Sequence, residues 1–313
     1  MPLSRHRKAL RDRPSTAASI EKYKSDLQQI VSTGLPEKMP QVLYHYTTWV
    51  GFSGIVSSQV FHARAHHCTN DSAELTSLDE ILAEIAADLA RRVASPLKGP
   101  LQAFLRDLPS RKIGKVGKVY LACFSVARDK AVQWERYADG GTGVCLGFKV
   151  LFDEKGPDSI ASLPVVYDEN LWRSALQERF QRVVACHDRF GRSHRGGYRT
   201  GSAAAWSALM QIAAIASISA KKPEWSQEEE WRTVLVDSEG EITPLLKADG
   251  SEYIELHLRQ PPLRFVFDEV ILGPRVQPSP LDGIGEARRV LERGGYTVEE
   301  MPPITVSATN LQP

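Results

Sequence analysis

Three consecutive carboxylates, Glu228-Glu229-Glu230, run directly into Trp231-Arg232-Thr233-Val234-Leu235-Val236, whose composition reads as a β-strand. Extending the strand period of two puts Glu228, Glu230 and Arg232 on one side and Glu229 on the other. Two carboxylates and a guanidinium on one face suit a polar ligand. A carboxylate beside a sugar also stabilises the cationic character that develops as a glycosidic bond breaks. The same run is also read as a solvated charge cluster, or as an Arg232–Glu ion pair that contributes little. Far upstream, Leu43-Tyr44-His45-Tyr46-Thr47 reads as a strand with His45 and Thr47 on one face and Tyr44 and Tyr46 on the other. An imidazole and a hydroxyl would then point together at one ligand; the competing reading is a core histidine satisfied by a backbone carbonyl.

The remaining candidates are weaker. Trp134, Tyr137 and Asp139 precede Gly140-Gly141-Thr142-Gly143, so flat-ring stacking beside a close backbone approach is one reading. That glycine pattern fits neither the dinucleotide nor the phosphate-loop fingerprint and opens a strand, which favours a tight turn. Tyr137 remains a candidate ring-holding residue. Asn70, Asp71 and Glu74 lie in a polar loop that either organises a turn or closes over a substrate. His66-His67-Cys68 has no further ligands at zinc spacing, and no metal site is assigned. Cys123 reads as a small buried hydrophobe. Lys221, Lys222 and the arginines 189, 192, 195 and 199 are ordinary solvated surface or a grip for a phosphate-bearing cofactor or nucleic acid.

The elements that must position these residues follow from periodicity. A helix is expected from Ser15 or Thr16 to about Thr33, a short helix or turn over 50–57 and a strand over 60–63. Ser77-Leu78-Asp79-Glu80 is a capping box ahead of an amphipathic helix to about Val93. Strands are expected over 118–125, 143–150 and 165–167, with a short helix over 131–138. Two long helices, about 168–190 and 201–219, flank a glycine- and arginine-rich loop, 191–201, where mobility is expected. Strands over 230–236, 253–258 and 264–272 precede a helix that starts at Ser279-Pro280 and stops at Gly294. A strand over 296–299 is expected last. Strands and helices do not alternate, which predicts an α+β domain with one mixed or antiparallel sheet and peripheral helices. The expected organisation is a basic leader and N-terminal helix over 1–40, a single α+β catalytic-like domain over 41–300 and a flexible tail over 301–313.

Composition narrows the classes. The 313 residues carry 39 Lys+Arg against 38 Asp+Glu, so the strongly basic balance of a dedicated nucleic-acid binder is absent. With 42% hydrophobic and 25% charged residues the chain has globular composition. The sequence has no run of about 18 apolar residues and its basic N-terminus lacks an apolar core, so neither a membrane span nor a secretory signal is expected. Four cysteines without a CxxC pair fit reduced thiols and a cytoplasmic protein.

Four ordered signatures carry a family resemblance. They are Leu43–Thr47; Asn70-Asp71 with Glu74; Cys123-Phe124-Ser125 with Trp134, Tyr137-Ala138-Asp139 and Gly143–Phe148; and Trp225 with Glu228, Glu230, Trp231 and Arg232, trailed by Glu269–Pro274. Together, over about 41–275, they resemble the bacterial domain of unknown function 2971 (DUF2971) family. The Tyr44-His45-Tyr46-Thr47 strand also resembles the first motif of ADP-ribosyltransferase-fold proteins, and Glu228-x-Glu230 resembles their late paired glutamates. That resemblance implies NAD as substrate. His45 would hold the cofactor ribose, helped by Tyr44, Thr47 and Arg232; Tyr137 would stand beside the nicotinamide. Glu230 would stabilise the developing cation and Glu228 orient the acceptor, a protein or nucleic acid. A toxin or phage-defence role, with an antitoxin or defence partner, belongs to the same reading. The alternatives are a non-enzymatic nucleotide- or ligand-sensing module and a nuclease or other phosphodiesterase.

Overall fold

A computed structural model describes residues 16–32, 39–68, 78–108, 118–152, 160–237, 240–260, 263–277 and 279–311. The loop carrying Asn70, Asp71 and Glu74, and the Ser77 of the capping box, lie outside the described residues. In chain order the elements begin α1 (Ala17–Ser32), β1 (Leu43–Thr47), α2 (Trp49–Ser58), β2 (Val60–Ala65), α3 (Asp79–Arg92) and α4 (Ser95–Asp107). Then come β3 (Lys118–Ser125), α5 (Ala131–Tyr137), β4 (Val144–Phe152), β5 (Ile160–Pro164), α6 (Glu169–Ser193) and α7 (Gly197–Ser219). The last are β6 (Glu230–Asp237), β7 (Leu245–Leu246), β8 (Glu252–His257), β9 (Leu263–Leu272), α8 (Pro280–Arg293) and β10 (Ile304–Val306). Helix and a mixed sheet make this an α+β protein, as the irregular order of strand and helix signals predicts.

Contacts group the chain into two compact units, so that residues 41–300, read from sequence as one domain, contribute to both. The first unit gathers Met1–Leu35, Ala73–Lys115 and Val166–Pro223 and is helical: α1, α3, α4, α6 and α7. α3 buries Ile81, Leu82, Ile85, Ala86 and Leu89, a stripe at helical spacing, and carries acids in its first turn and arginines in its last, matching the helix dipole. α6 is capped by Asp168, whose side chain accepts from the amides of Asn170 and Leu171. The expected 191–201 loop is mostly helix, with only 194–196 between α6 and α7. Its glycines serve close packing: a Cβ on Gly201 would lie 3.0 Å from Phe190 and Tyr23 and 3.1 Å from His187 Nδ1. Only Gly196, at φ 71°, makes a left-handed turn. α7 is long and apolar enough to cross a membrane by length and composition, yet 56% of its apolar window is buried, as in a core helix.

The second unit, Pro36–Ser72, Val116–Val165 and Glu224–Pro313, holds the sheet. Its strand order is β10-β9-β4-β1-β3-β2-β8-β7, with β6 pairing β3 and β5 off that path. The described pairs are antiparallel except β9–β10. One face is apolar and aromatic: Phe61, Phe124, Phe148 and Phe265 pack mostly edge-to-face, with ring centroids 4.9 to 6.1 Å apart. Phe52 and Val56 of α2 and Ala287, Val290 and Leu291 of α8 join that core. The expected strand at 165–167 forms earlier, as β5, and Val166 makes only an isolated bridge to Ala220. Residues 296–299 are not a strand either. The expected tail supplies β10 instead, parallel to β9 from Ile304↔Val270 to Val306↔Leu272.

Candidate functional site

Directly opposed residues of paired strands share a face. Tyr44 of β1 lies opposite Ser125 of β3, and Ser125 opposite Glu230 of β6, so these three belong to one face. Arg232, opposite Cys123, shares it. His45 alternates to the other face, opposite Leu146, with its ring 5.0 Å from that of Phe61 and 5.9 Å from that of Phe124. The structure pairs Glu228 with Tyr137 and Glu230 with Arg232, and leaves His45 out of both contacts. The sheet itself separates the imidazole from the carboxylates. Burial among the rings lowers the His45 pKa, partly countered by its Nδ1 hydrogen bond (3.3 Å) to the Cys123 carbonyl.

The polar face is assembled by α5. Gln133, Arg136 and Tyr137, at i, i+3 and i+4, lie on one side of this short helix and converge on Glu228. Gln133 Nε2 donates to the Glu228 carbonyl (2.7 Å), and Tyr137 Oη donates to Glu228 Oε1 (2.5 Å). Arg136 Nη1 stands 3.2 Å from the same carboxylate oxygen, and its guanidinium lies 4.6 Å over the Trp225 ring. Glu228 is 3% exposed, whereas Tyr137 is 38% exposed and Trp225 half-buried. Trp134 is fully buried and donates to Asp129 (2.6 Å).

Glu228 does not reach this position by strand alternation. It ends a 3₁₀ turn, Pro223–Glu228, and Glu229 takes a left-handed φ of 46°, so β6 starts only at Glu230. Ser125 holds the junction: its Oγ donates to the Glu228 carbonyl (2.7 Å) and accepts from the Ala127 amide (3.0 Å). Val126 N donates to the Glu229 carbonyl (3.0 Å), and Lys130 pairs with the Glu229 carboxylate. Beyond the kink, Glu230 and Arg232 form a buried bidentate pair, Nε–Oε1 2.7 Å and Nη2–Oε2 3.1 Å. Cys123, opposite Arg232, is exposed rather than buried.

Tyr44 and Thr47 stand elsewhere. Tyr44 donates to Glu269 Oε1 (3.2 Å), which Arg128 grips through two nitrogens at 2.8 and 2.6 Å. Burial, with the Glu269 charge second, pushes the Tyr44 phenol up to about 12. Thr47 ends β1 at the corner before α2, where a Cβ on Gly143 would lie 2.3 Å from the Thr47 carbonyl oxygen. The glycine motif is thus a tight turn, with Gly140 at φ 62° and Gly141 at φ 94°. Among the described residues no group of three or more histidine, cysteine or acidic side chains is arranged to hold a metal ion.

The fold and site define an α+β protein with a polar cluster on one sheet face. Residues 133–233 match a family model described as "Protein of unknown function (DUF2971)", which supports the DUF2971 family read from the motifs. The matched stretch opens at Gln133 and closes just past Arg232, so it holds both halves of the cluster. No curated protein and no solved structure matches the chain. Sequence reading missed Gln133, Arg136, Ser125 and Trp225 as parts of the cluster. The i, i+3, i+4 spacing of the α5 residues was the available signal.

Proposed function

We propose that the face carrying Glu228, Tyr137, Arg136 and Trp225 recognises a nucleotide, with NAD as the first ligand to try. One observation carries this reading: two partly exposed aromatic rings flank a buried, hydrogen-bonded carboxylate. The rings suit a base or nicotinamide, Arg136 suits a phosphate, and a carboxylate accepts from ribose hydroxyls. His45 has no part in it, because its ring faces the aromatic core.

A second reading, an ADP-ribosyltransferase or NAD glycohydrolase, is favoured by two buried carboxylates two residues apart, Glu228 held by Tyr137 and Arg136 and Glu230 held by Arg232. The glycosidic bond to nicotinamide would break with its electron pair leaving on the ring nitrogen. An acceptor hydroxyl, amine or water would bond to the ribose carbon and release a proton. Glu230 would stabilise the cationic transition state while Arg232 holds it in place. Calorimetry with NAD and ADP-ribose, run beside an assay of nicotinamide release, separates the readings. Binding without release that survives Glu230→Gln marks recognition; release abolished by Glu230→Gln marks catalysis. No binding of either nucleotide by folded protein overturns both.

A further inference from the structure

Charge is unevenly distributed along this nearly neutral chain. Residues 179–200 hold six arginines, no lysine and one acid, Asp188, against a whole-chain net charge of +1. Arg189, Arg192, Arg195 and Arg199 are exposed and cluster where α6 turns into α7. That corner is tied by hydrogen bonds. Asp188 accepts from Tyr198 Oη (2.9 Å) and from Arg192 Nε (3.0 Å), clamping the first turn of α7 to the last turns of α6.

Those bonds engage Asp188, and among the described residues Arg189, Arg195 and Arg199 form no ion pair. Arg199 lies in the first turn of α7, which has no acidic residue and no side-chain cap, so its charge adds to the positive end of the helix dipole. Clustered like charges, one of them at the disfavoured helix end, cost folding free energy that an anionic partner recovers.

We propose that this corner docks a single-stranded nucleic acid through its phosphates. Arginine rather than lysine suits the choice, because a guanidinium fork meets phosphate oxygens two at a time. The half-buried rings of His194, packed at 4.6 Å on Phe190, and of Tyr198, edge-on to His187 at 5.8 Å, leave part of their surface exposed at this corner, where a base can stack. The surface belongs to the helical unit alone and does not depend on the nucleotide-site reading.

The test is fluorescence anisotropy of the full chain with a labelled oligouridine of about 20 nucleotides, across a salt series. Wild type should bind with a steep negative slope of log affinity against log salt. Arg189→Gln/Arg195→Gln/Arg199→Gln should lose at least about tenfold in affinity and flatten the slope by about 2, at about 0.7 per phosphate contact. The matching triple lysine variant should keep most of the slope. All three positions are exposed, and a circular dichroism melt checks the fold. Absence of binding, a flat salt dependence, or a triple glutamine variant that binds like wild type overturns the proposal. Equally tight arginine-dependent binding to polyglutamate or to phosphatidylserine vesicles also overturns it, reducing the corner to a general anion surface.

Discussion

Removing Arg232 should be among the most damaging single changes in the sheet. Its side chain is 2% exposed and that of Glu230 7%, so solvent screens the pair very little. Arg232→Met leaves the Glu230 carboxylate buried without the guanidinium that grips it at 2.7 and 3.1 Å. Breaking a buried pair from one side costs about 3–5 kcal/mol, because the remaining charge keeps its desolvation penalty and loses its partner. Arg232→Lys keeps a charge but not the fork and should cost less. Glu230→Leu/Arg232→Met removes both charges and should recover much of the loss, with a coupling energy of at least about 2 kcal/mol in a double-mutant cycle. The assay is urea unfolding of the four proteins, read by circular dichroism and tryptophan fluorescence. If Arg232→Met costs under about 1 kcal/mol, or if the two substitutions simply add, the pair is not the electrostatic unit described here.

Three further outcomes follow from other parts of the molecule. Asp129 accepts from Trp134, from Ser307 and Thr309 and from the Ala308 amide, and despite burial these bonds lower its pKa. Its stabilisation is therefore present above the ordinary aspartate pKa and lost as pH falls through the lowered folded value. Asp129→Asn should cost about 1–3 kcal/mol at neutral pH and speed proteolysis near Val306 and Ala308, which limited elastase digestion reads. His187 is buried in the helical unit with its pKa lowered by burial, so the unfolded chain protonates first and stability should drop as pH falls below about 6.5. His187→Gln should flatten that drop in melts across pH 5–8; an unchanged profile would remove this residue as its source. Gly143→Ala puts a Cβ 2.3 Å from the Thr47 carbonyl and 2.9 Å from that of Ala138, both backbone atoms, and should cost roughly 1–3 kcal/mol or more in urea unfolding.

Local order was largely legible. The strands at 118–125 and 230–237, the helix from Pro280 to Arg293 and the short α5 follow from periodicity, caps and turn residues. Long-range geometry was not. The alternation of β1 correctly put His45 and Tyr44 on opposite faces, but only the register of β1 on β3 and of β3 on β6 shows that Glu230 shares the face of Tyr44. Glu228 was assigned a side by extending strand period across Glu229, and a left-handed residue breaks that period. The glycine- and arginine-rich stretch resembled a loop because glycine lowers helix propensity, yet close crossing of α6, α7 and α1 favours glycine there. The end of the chain looked loose in composition, whereas Ser307, Ala308 and Thr309 are fixed by a single carboxylate on the loop before α5.

In the proposed function Glu228 and Tyr137, and not His45, form the ligand-binding face. Titration calorimetry with NAD on wild type, Glu228→Gln, Tyr137→Phe and His45→Gln tests it, with each fold verified by circular dichroism. Binding should weaken at least about tenfold in Glu228→Gln, less in Tyr137→Phe, and stay at wild-type affinity in folded His45→Gln. Binding that vanishes with His45→Gln and persists in Glu228→Gln would contradict it.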